Sequence, residues 1–306
     1  MYPLKFKSIY HTKIWGGNKF NTFRSELPDG LIGESWDICC RNDAASIVVN
    51  GTYKGKDLEE LTKTYGKEIL GSDFENKSFP LLIKIINAGE KLSLQVHPGT
   101  EFASVYEKEP GKSEFWYIMD CNPGAYVVLG IKNCHPEEFK RCISENQVVY
   151  GCFEKYLNQV AVKPGDFFYV KSGLIHAVGK GILLAEIQDN SDLTYRLYDY
   201  GRGRKIEIEK ALAVSDFSAA AKKYDEQSCN IQSESMVLSI LDINDTLSTS
   251  ASEKKFHTLT CVLGNGVIQY EHGFEKISYG DSILIPASLG KYSILGRIKL
   301  IRADLK

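Results

Sequence analysis

Net charge is nearly absent from this chain: 37 basic residues stand against 39 acidic ones, a balance of −2. No global field therefore draws the protein to nucleic acid or to an anionic membrane, and any anion binding must be local. Long apolar runs are missing too. The two most apolar stretches, Leu81 to Ile86 and Ile182 to Ile187, are short and each carries a charge. The opening MYPLKFKSIYHTKIWGG has no uninterrupted apolar segment of the kind a secretion signal needs, so a cytoplasmic protein is expected. Low-complexity sequence is absent. The eight cysteines include the adjacent pair Cys39 and Cys40 but no CxxC spacing, which argues against a redox pair or zinc knuckle and for free buried thiols.

What is present is an aromatic-rich composition, with 17 Tyr, 14 Phe and 43% hydrophobic residues. That is the profile of a globular protein, and 306 residues favour two domains or one large β domain with additions. Helical periodicity is confined to a few places. Asp57 to Asp73 starts on a candidate Asp N-cap, spaces Leu58, Leu61, Tyr65 and Ile69 at helical intervals and stops at Gly71. His135 to Asn146 opens on Pro and Glu, and a third candidate, EKALAVSDF, begins at Glu209. Elsewhere short Val-, Ile-, Tyr- and Phe-rich segments alternate with Gly, Pro, Asn and Asp. That pattern predicts antiparallel strands in a sandwich or barrel.

The polar stretch Ser218 to Ser235 is the best linker candidate, and beyond it the chain repeats itself. KPGDFFYVKSGLIHAV (163–178) and SYGDSILIPASLGKYSI (278–294) share Gly-Asp, a strand and a small-residue turn; with the Gly-Asp pairs superposed, His176 falls opposite Lys291. Only the first unit keeps a metal-capable residue there.

The spacing Gln95-x-His97 sets two potential ligands on one face of a strand, because strand side chains alternate. A carboxylate partner is available as Glu101 or as Glu114. Gly89 precedes Gln95 with five residues between them, and Gly165 is followed by Lys171-Ser172-Gly173 and then His176. This pair of segments resembles the cupin double motif, with Gln95 in place of the first histidine and Lys171 in place of the turn proline.

Within the cupins, the chain resembles the type I mannose-6-phosphate isomerases, also called phosphomannose isomerases. The resemblance rests on IWGG (14–17), GESWDI (33–38), PLLIKIINAGEKLSLQVHP (80–98), GKSE (111–114), GDFFYVKSGLIHA (165–177) and EIQDNSDLTYRLYDYGR (186–202), in that order. The length fits the short bacterial members. The resemblance implies a mainly β fold of two cupin-like β-sandwich (jelly-roll) units with a few short helices. A catalytic domain is expected over 1–225, with an N-terminal extension and short helices, and a metal-free cupin-like β domain over 226–306.

The same resemblance selects Glu114 over Glu101, which lies in what reads as an exposed turn and short helix. It gives Gln95, His97, Glu114 and His176 as ligands of one ion per chain. Two imidazoles, one carboxylate and one amide oxygen suit zinc, which the family implies, with manganese, iron or cobalt possible on ligand softness. His11, His135, His257 and His272 are expected to be structural or exposed.

The implied reaction interconverts mannose 6-phosphate and fructose 6-phosphate through an enediol. It needs an electrophile for the developing oxyanion, a base beside the carbon proton and cations for the phosphate. Ser93, Lys84 and Arg202 are the candidate substrate-binding residues. Lys84 sits in an apolar run where an unpaired charge would be costly, so a ligand anion or an internal carboxylate must meet it, and a ligand is expected. Lys112, Glu186, Asp192 and Arg196 are the candidate catalytic groups, with Arg204 and Lys205 read as a solvated loop. Longer family members carry His immediately before the lysine where this chain has Gly111, which shifts the acid/base role to Lys112, with Arg196 or Glu186 assisting. Gly16, Gly17, Trp15 and Trp36 are read as architecture or pocket wall.

A non-catalytic phosphosugar-binding cupin and a cupin metal oxygenase or lyase are the alternatives. The oxygenase would bring more histidines and no convergent phosphate cations. The expected partner is a small-molecule sugar phosphate, with no nucleic acid and no membrane, in a monomer or homodimer.

Overall fold

The computed structural model describes residues 1–145, 153–219, 221–224 and 230–306. It is built of three stacked β layers. The middle layer is a seven-stranded sheet running, by neighbour, 222–224, 167–170, 114–121, 182–189, 81–88, 9–17 and 32–38, with 32–38 also pairing 81–88. A five-stranded sheet of 157–161, 126–131, 176–178, 94–96 and 195–198 covers one side, and an eight-stranded sheet covers the other. Seven of its strands come from 231–305, and Leu4–Lys5 is the eighth, at one edge.

The central strands show why the two apolar runs lack strict alternation. Leu81–Ala88 is buried on both faces. Ile83 and Ile85 join Phe115, Ile187, Leu284, Ile301 and Ala303 in the core beneath the eight-stranded sheet. Ile86 points the other way, into a core with Trp116, Ile118, Leu129, Phe168 and Ile182. Each fully buried aliphatic or aromatic side chain contributes roughly 1.5–3 kcal/mol. Lys84 shares the second face with Ile86, because side chains alternate along a strand.

Among the described residues five α-helices lie outside the sheets: α1 (Leu58–Thr64), α2 (Gly66–Leu70), α3 (Thr100–Tyr106), α4 (Pro136–Glu145) and α5 (Ile208–Val214). Asp57 caps α1 by accepting from the Glu60 amide at 2.7 Å, as its position predicts. The helix expected over 57–73 breaks at Tyr65, whose φ of −126° and ψ of 38° leave the α basin before α2 begins. Phe139 and Ile143 of α4 and Ala211 of α5 cover the outer face of the five-stranded sheet. Among the described residues no helix is long and apolar enough to cross a membrane.

The internal repeat extends to single hydrogen bonds. Asp166 accepts from the Lys163 amide at 3.0 Å, and Asp281 accepts from the Ser278 amide at the same distance. The strand opposite each Gly-Asp turn is engaged in the same way, by Gly165 to the Ile118 carbonyl and Gly280 to the Cys261 carbonyl. Counting back four residues from each places Glu114 and His257 at corresponding positions. In the second unit, His257 Nε2 meets the Tyr292 hydroxyl at 2.6 Å inside the barrel.

Two readings are corrected by the fold. Residues 222–224 of the expected linker form an edge strand against 167–170 rather than a free tether. Five cysteines are free thiols, but Cys142 is disulfide-bonded, contrary to the all-thiol expectation. The proposed domain boundary at 225/226 and residue 146 of the expected α4 lie outside the described residues.

Candidate metal and substrate site

The site lies between the middle and five-stranded sheets, where two cross-strand rows face each other. On the middle sheet Trp36 pairs with Lys84, Lys84 with Glu186, and Glu186 with Trp116. Glu114, two residues before Trp116, emerges on the same face. On the opposing sheet Gln95 lies in register between His176 and Arg196. His97 follows just past the end of its strand, with its carbonyl held by the Gly173 amide at 2.8 Å.

His97, Glu114 and His176 converge in the interior, each at most 1% exposed. His97 Nε2 lies 3.4 Å from Glu114 Oε2, and His176 Nε2 lies 3.5 Å from Oε1. His97 Nδ1 faces the Leu193 carbonyl at 2.7 Å, and His176 Nδ1 the Leu174 carbonyl at 2.8 Å. A carbonyl only accepts, so both Nδ1 atoms carry hydrogen and, in the neutral rings, both Nε2 atoms present lone pairs. Burial, followed by the Lys112 cation, lowers the His97 pKa to about 3, and burial lowers that of His176, so both rings are neutral.

Two lone pairs thus confront a carboxylate across the gap. Both Glu114 oxygens and His97 Nε2 are buried without a hydrogen-bond partner. Buried polar atoms are rarely left so. A divalent cation would satisfy all three residues together, and they fit one: their ligating atoms lie within 4.8 Å of one another. Gln95 stands beside them, its Nε2 3.2 Å from His176 Nε2 and its Oε1 accepting from Ser93 Oγ at 3.1 Å. A half-turn of the amide exchanges O and N at little steric cost, bringing the oxygen to the ion and an N–H to Ser93. Trp116 packs edge-on to His176 at 5.5 Å and donates to Glu186 Oε2 at 3.2 Å.

Lys112 Nζ is 3.1 Å from Glu114 Oε2 and 4.0 Å from Glu186 Oε1. Burial, then the neighbouring Glu114 carboxylate, pushes the Glu186 pKa up to about 7. Lys84, 2% exposed, is met by Asp192 at 2.9 Å, Glu34 at 3.7 Å and Glu186 at 3.8 Å, and it lies 4.8 Å from the Trp36 ring. Internal carboxylates therefore supply the anion that the buried lysine demands, where a ligand was expected. Burial opposes its charge, but Asp192 and Glu34 outweigh that and hold its pKa above the ordinary lysine value.

A cavity of about 80 Å³ opens onto this network, lined by Lys84, Ser93, Gln95, Lys112, Glu186, Asp192 and Arg196 among others. Trp15 is also on its wall, as are Glu34 and Lys13. Near Trp15 the strand 9–17 runs close against its neighbour: a Cβ on Gly16 would sit 2.4 Å from the Leu31 carbonyl oxygen. Glu101 is exposed on α3, away from the cluster.

The arginines depart from expectation. Arg202 is turned out of the cavity, donating to the Lys91 carbonyl at 2.6 Å and packing on the Tyr200 ring. Arg204, read from sequence as solvated, lines the cavity and is held by both oxygens of Asp199, which is 1% exposed. Arg196 Nε is buried and unpartnered, and burial followed by the nearby Arg204 lowers the Arg196 pKa. Glu34, Lys13 and Arg204 escaped the sequence reading because their relation to the site is made by cross-sheet packing; the position of Glu34 within GESWDI was the one available signal.

The family model "Phosphomannose isomerase type I, catalytic domain" matches residues 3–127, and "Mannose-6-phosphate isomerase, cupin domain" matches 229–305. The chain is 36% identical to mannose-6-phosphate isomerase ManA of Bacillus subtilis, covering 99% of both chains. It is 40% identical to mannose-6-phosphate isomerase of Streptococcus mutans over 69% of this chain and 67% of that one. The crystal structure of a mannose 6-phosphate isomerase from Bacillus subtilis superposes with a TM-score of 0.89 at 31% identity, over 99% of each chain. The chain belongs to the type I phosphomannose isomerase family.

Proposed function

We propose that this protein is a metal-dependent aldose–ketose isomerase that interconverts mannose 6-phosphate and fructose 6-phosphate through an enediol. The observation that carries the proposal is the buried His97, Glu114 and His176 cluster, whose Glu114 oxygens and His97 Nε2 lack hydrogen-bond partners, beside Lys112 and Glu186. Gln95, His97, Glu114 and His176 would hold the ion, and the donor set favours zinc. When bound, the ion supplies Lewis acidity toward the sugar's carbonyl or hydroxyl oxygen.

The protein's own groups account for the rest. Arg196 and Arg204 are two cations close together, and Arg196 Nε lacks a partner, so a phosphate dianion would relieve their mutual repulsion. Ser93, beside Gln95, offers a further hydroxyl. The cavity is smaller than the roughly 300 Å³ at which ligand pockets begin, so entry of a sugar phosphate requires the long side chains of Lys13, Arg196 or Arg204 to swing aside.

Lys112 and Glu186 stand next to each other and next to Glu114, placed to pass a proton between carbons and between oxygens. A carboxyl poised at about 7 is matched to proton transfer near neutrality. Lys84 holds Asp192 and Glu186 in place and neutralises them in part. The chemistry belongs to the unit assigned to 1–225. The unit assigned to 226–306 takes no metal, because His257 and Lys291 stand where Glu114 and His176 stand in the first. We place the enzyme in the cytoplasm, as a monomer or homodimer.

The test is proton NMR of mannose 6-phosphate in deuterated water with the purified protein, before and after chelation and again with zinc restored. The proposal expects fructose 6-phosphate only with metal present and loss of signal at the exchanging carbon. No conversion with any divalent metal would refute it.

A further inference from the structure

The turn carrying Lys112 and Glu114 is held on one side by the start of α3, where the Lys112 amide donates to the Pro98 carbonyl at 3.0 Å, and borders open space on the other. A cavity of about 870 Å³ lies between the catalytic unit and the C-terminal sheet, and its wall includes Pro110, Gly111, Lys112, Ser113, Asp189, Ser235 and Lys306. Lys112 borders both this cavity and the small one at the site. On the side that faces the cavity, hydrogen bonds rather than packed side chains hold the turn.

Those bonds converge on Ser113, the residue between the two functional side chains. Its amide donates to Asp189 Oδ2 at 3.0 Å, and its carbonyl accepts from the Asp189 amide at 3.1 Å. Its hydroxyl accepts from the Ser172 amide at 3.2 Å, in the turn that leads to His176. The other Asp189 oxygen accepts from Ser235 Oγ at 2.5 Å, and the Ser235 carbonyl accepts from the Lys306 amide at 3.0 Å. Asp189 ends the strand that bears Glu186, and alternation points its side chain away from the site, toward the C-terminal unit. A single carboxylate therefore ties the Lys112–Glu114 turn to the catalytic strand and to the second domain.

We infer that Asp189 is a positioning residue, which through Ser113 sets the place of Lys112 and Glu114 and makes their geometry depend on the docked C-terminal unit. The inference rests on the isomerase reading for its kinetic arm and on the metal cluster alone for its binding arm. Groups that act on a ligand from behind typically cost about 10- to 100-fold in metal affinity or activity when removed.

Three variants test it: Asp189→Ala, Asp189→Asn and Ser235→Ala. Each is assayed for kcat and KM, for zinc affinity by competition with a chromophoric chelator, and for the visible spectrum of the cobalt-loaded protein. Asp189→Ala is expected to lose about 10- to 100-fold in kcat and in zinc affinity, with KM little changed and an altered cobalt spectrum. Asn keeps an oxygen for the Ser113 amide and can donate to the Ser235 hydroxyl, so Asp189→Asn should return close to wild type. Ser235→Ala should fall between the two.

Asp189→Ala with a lower Tm but wild-type kcat, zinc affinity and cobalt spectrum would overturn the inference. Should the Ala variant fail to fold, Ser235→Ala with wild-type zinc affinity and kcat would do so instead. If the wild type binds zinc but turns nothing over, the isomerase reading fails, while the affinity and spectral arms still decide the role of Asp189.

Discussion

Gly111 lies so close to Thr100 that a Cβ added to it would sit 2.3 Å from the Thr100 amide nitrogen and 2.6 Å from the Gly99 carbonyl carbon. Both obstacles are backbone at the start of α3, which cannot yield as a flexible side chain would. The glycine is thus required by the path of the turn, and a histidine here would move the turn and Lys112 with it. Gly111→Ala should cost about 1–3 kcal/mol of stability and lower kcat. Thermal unfolding and steady-state kinetics check this, and a variant matching the wild type in both would show that α3 gives way freely.

Lys112 Nζ lies 3.1 Å from Glu114 and 4.0 Å from Glu186. Lys112→Met should lower kcat by about 10²- to 10⁴-fold, the range of a lost general acid or base. An activity within a few-fold of wild type would move the role to Glu186 alone. Circular dichroism controls for folding, since the substitution leaves Glu114 less compensated.

Chelation should abolish turnover and lower the melting temperature together. The second effect follows because Glu114 and His97 are then left with buried atoms lacking partners. Ligand binding to the native state alone adds about 2.7 kcal/mol at a hundredfold excess over Kd. Calorimetry with and without zinc measures this, and an unchanged transition would argue that the cluster binds no ion.

Arg204 and Arg202 should separate cleanly. Arg204 faces the cavity and Arg202 does not. Arg204→Ala should raise KM for the sugar phosphate by about tenfold or more, as expected for the loss of a charged hydrogen bond worth 1.5–3 kcal/mol. Arg202→Ala should change it far less. The reverse order in a Michaelis analysis would return Arg202 to the phosphate site.

The second unit should set part of the acid stability. Burial, then the nearby Arg302, lowers the pKa of His257 to about 3 from the ordinary 6.5. Between those values the unfolded chain binds a proton that the folded chain refuses, so stability rises with pH and falls on acidification through this window. The slope from one such group reaches about 1.4 kcal/mol per pH unit. His257→Gln, which can still hydrogen-bond Tyr292, should flatten the curve of denaturation free energy against pH from 6.5 downward. A slope identical to wild type would remove His257 from the account.

The fold class and the candidate ligands His97 and His176 were legible in local patterning, whereas Glu114 came from the resemblance, local spacing having offered Glu101. Gln95 and His97 announce themselves by a two-residue spacing, the Gly-Asp turns recur with the same Asp-to-amide bond, and Asp57 caps its helix where the pattern placed it. The break at Tyr65 was not legible, because nothing in the apolar spacing of 57–73 distinguishes one helix from two short ones. Lys84 was legible as a buried charge but not in its partners. Glu186 and Asp192 lie close together in the chain but Glu34 is far from both, and only the fold brings all three to within 4 Å of it.

The sequence by itself offered Gln95, His97 and His176 as candidate ligands, since spacing acts over a few residues, and left the choice of carboxylate to the resemblance. Tertiary structure alone decided which arginine enters the cavity, which carboxylates answer Lys84, and that Asp189 reaches both Ser113 and Ser235. Those outcomes depend on the stagger between strands and the facing of two sheets, relations set by the packing of the whole core that leave no trace in the spacing of residues along the chain.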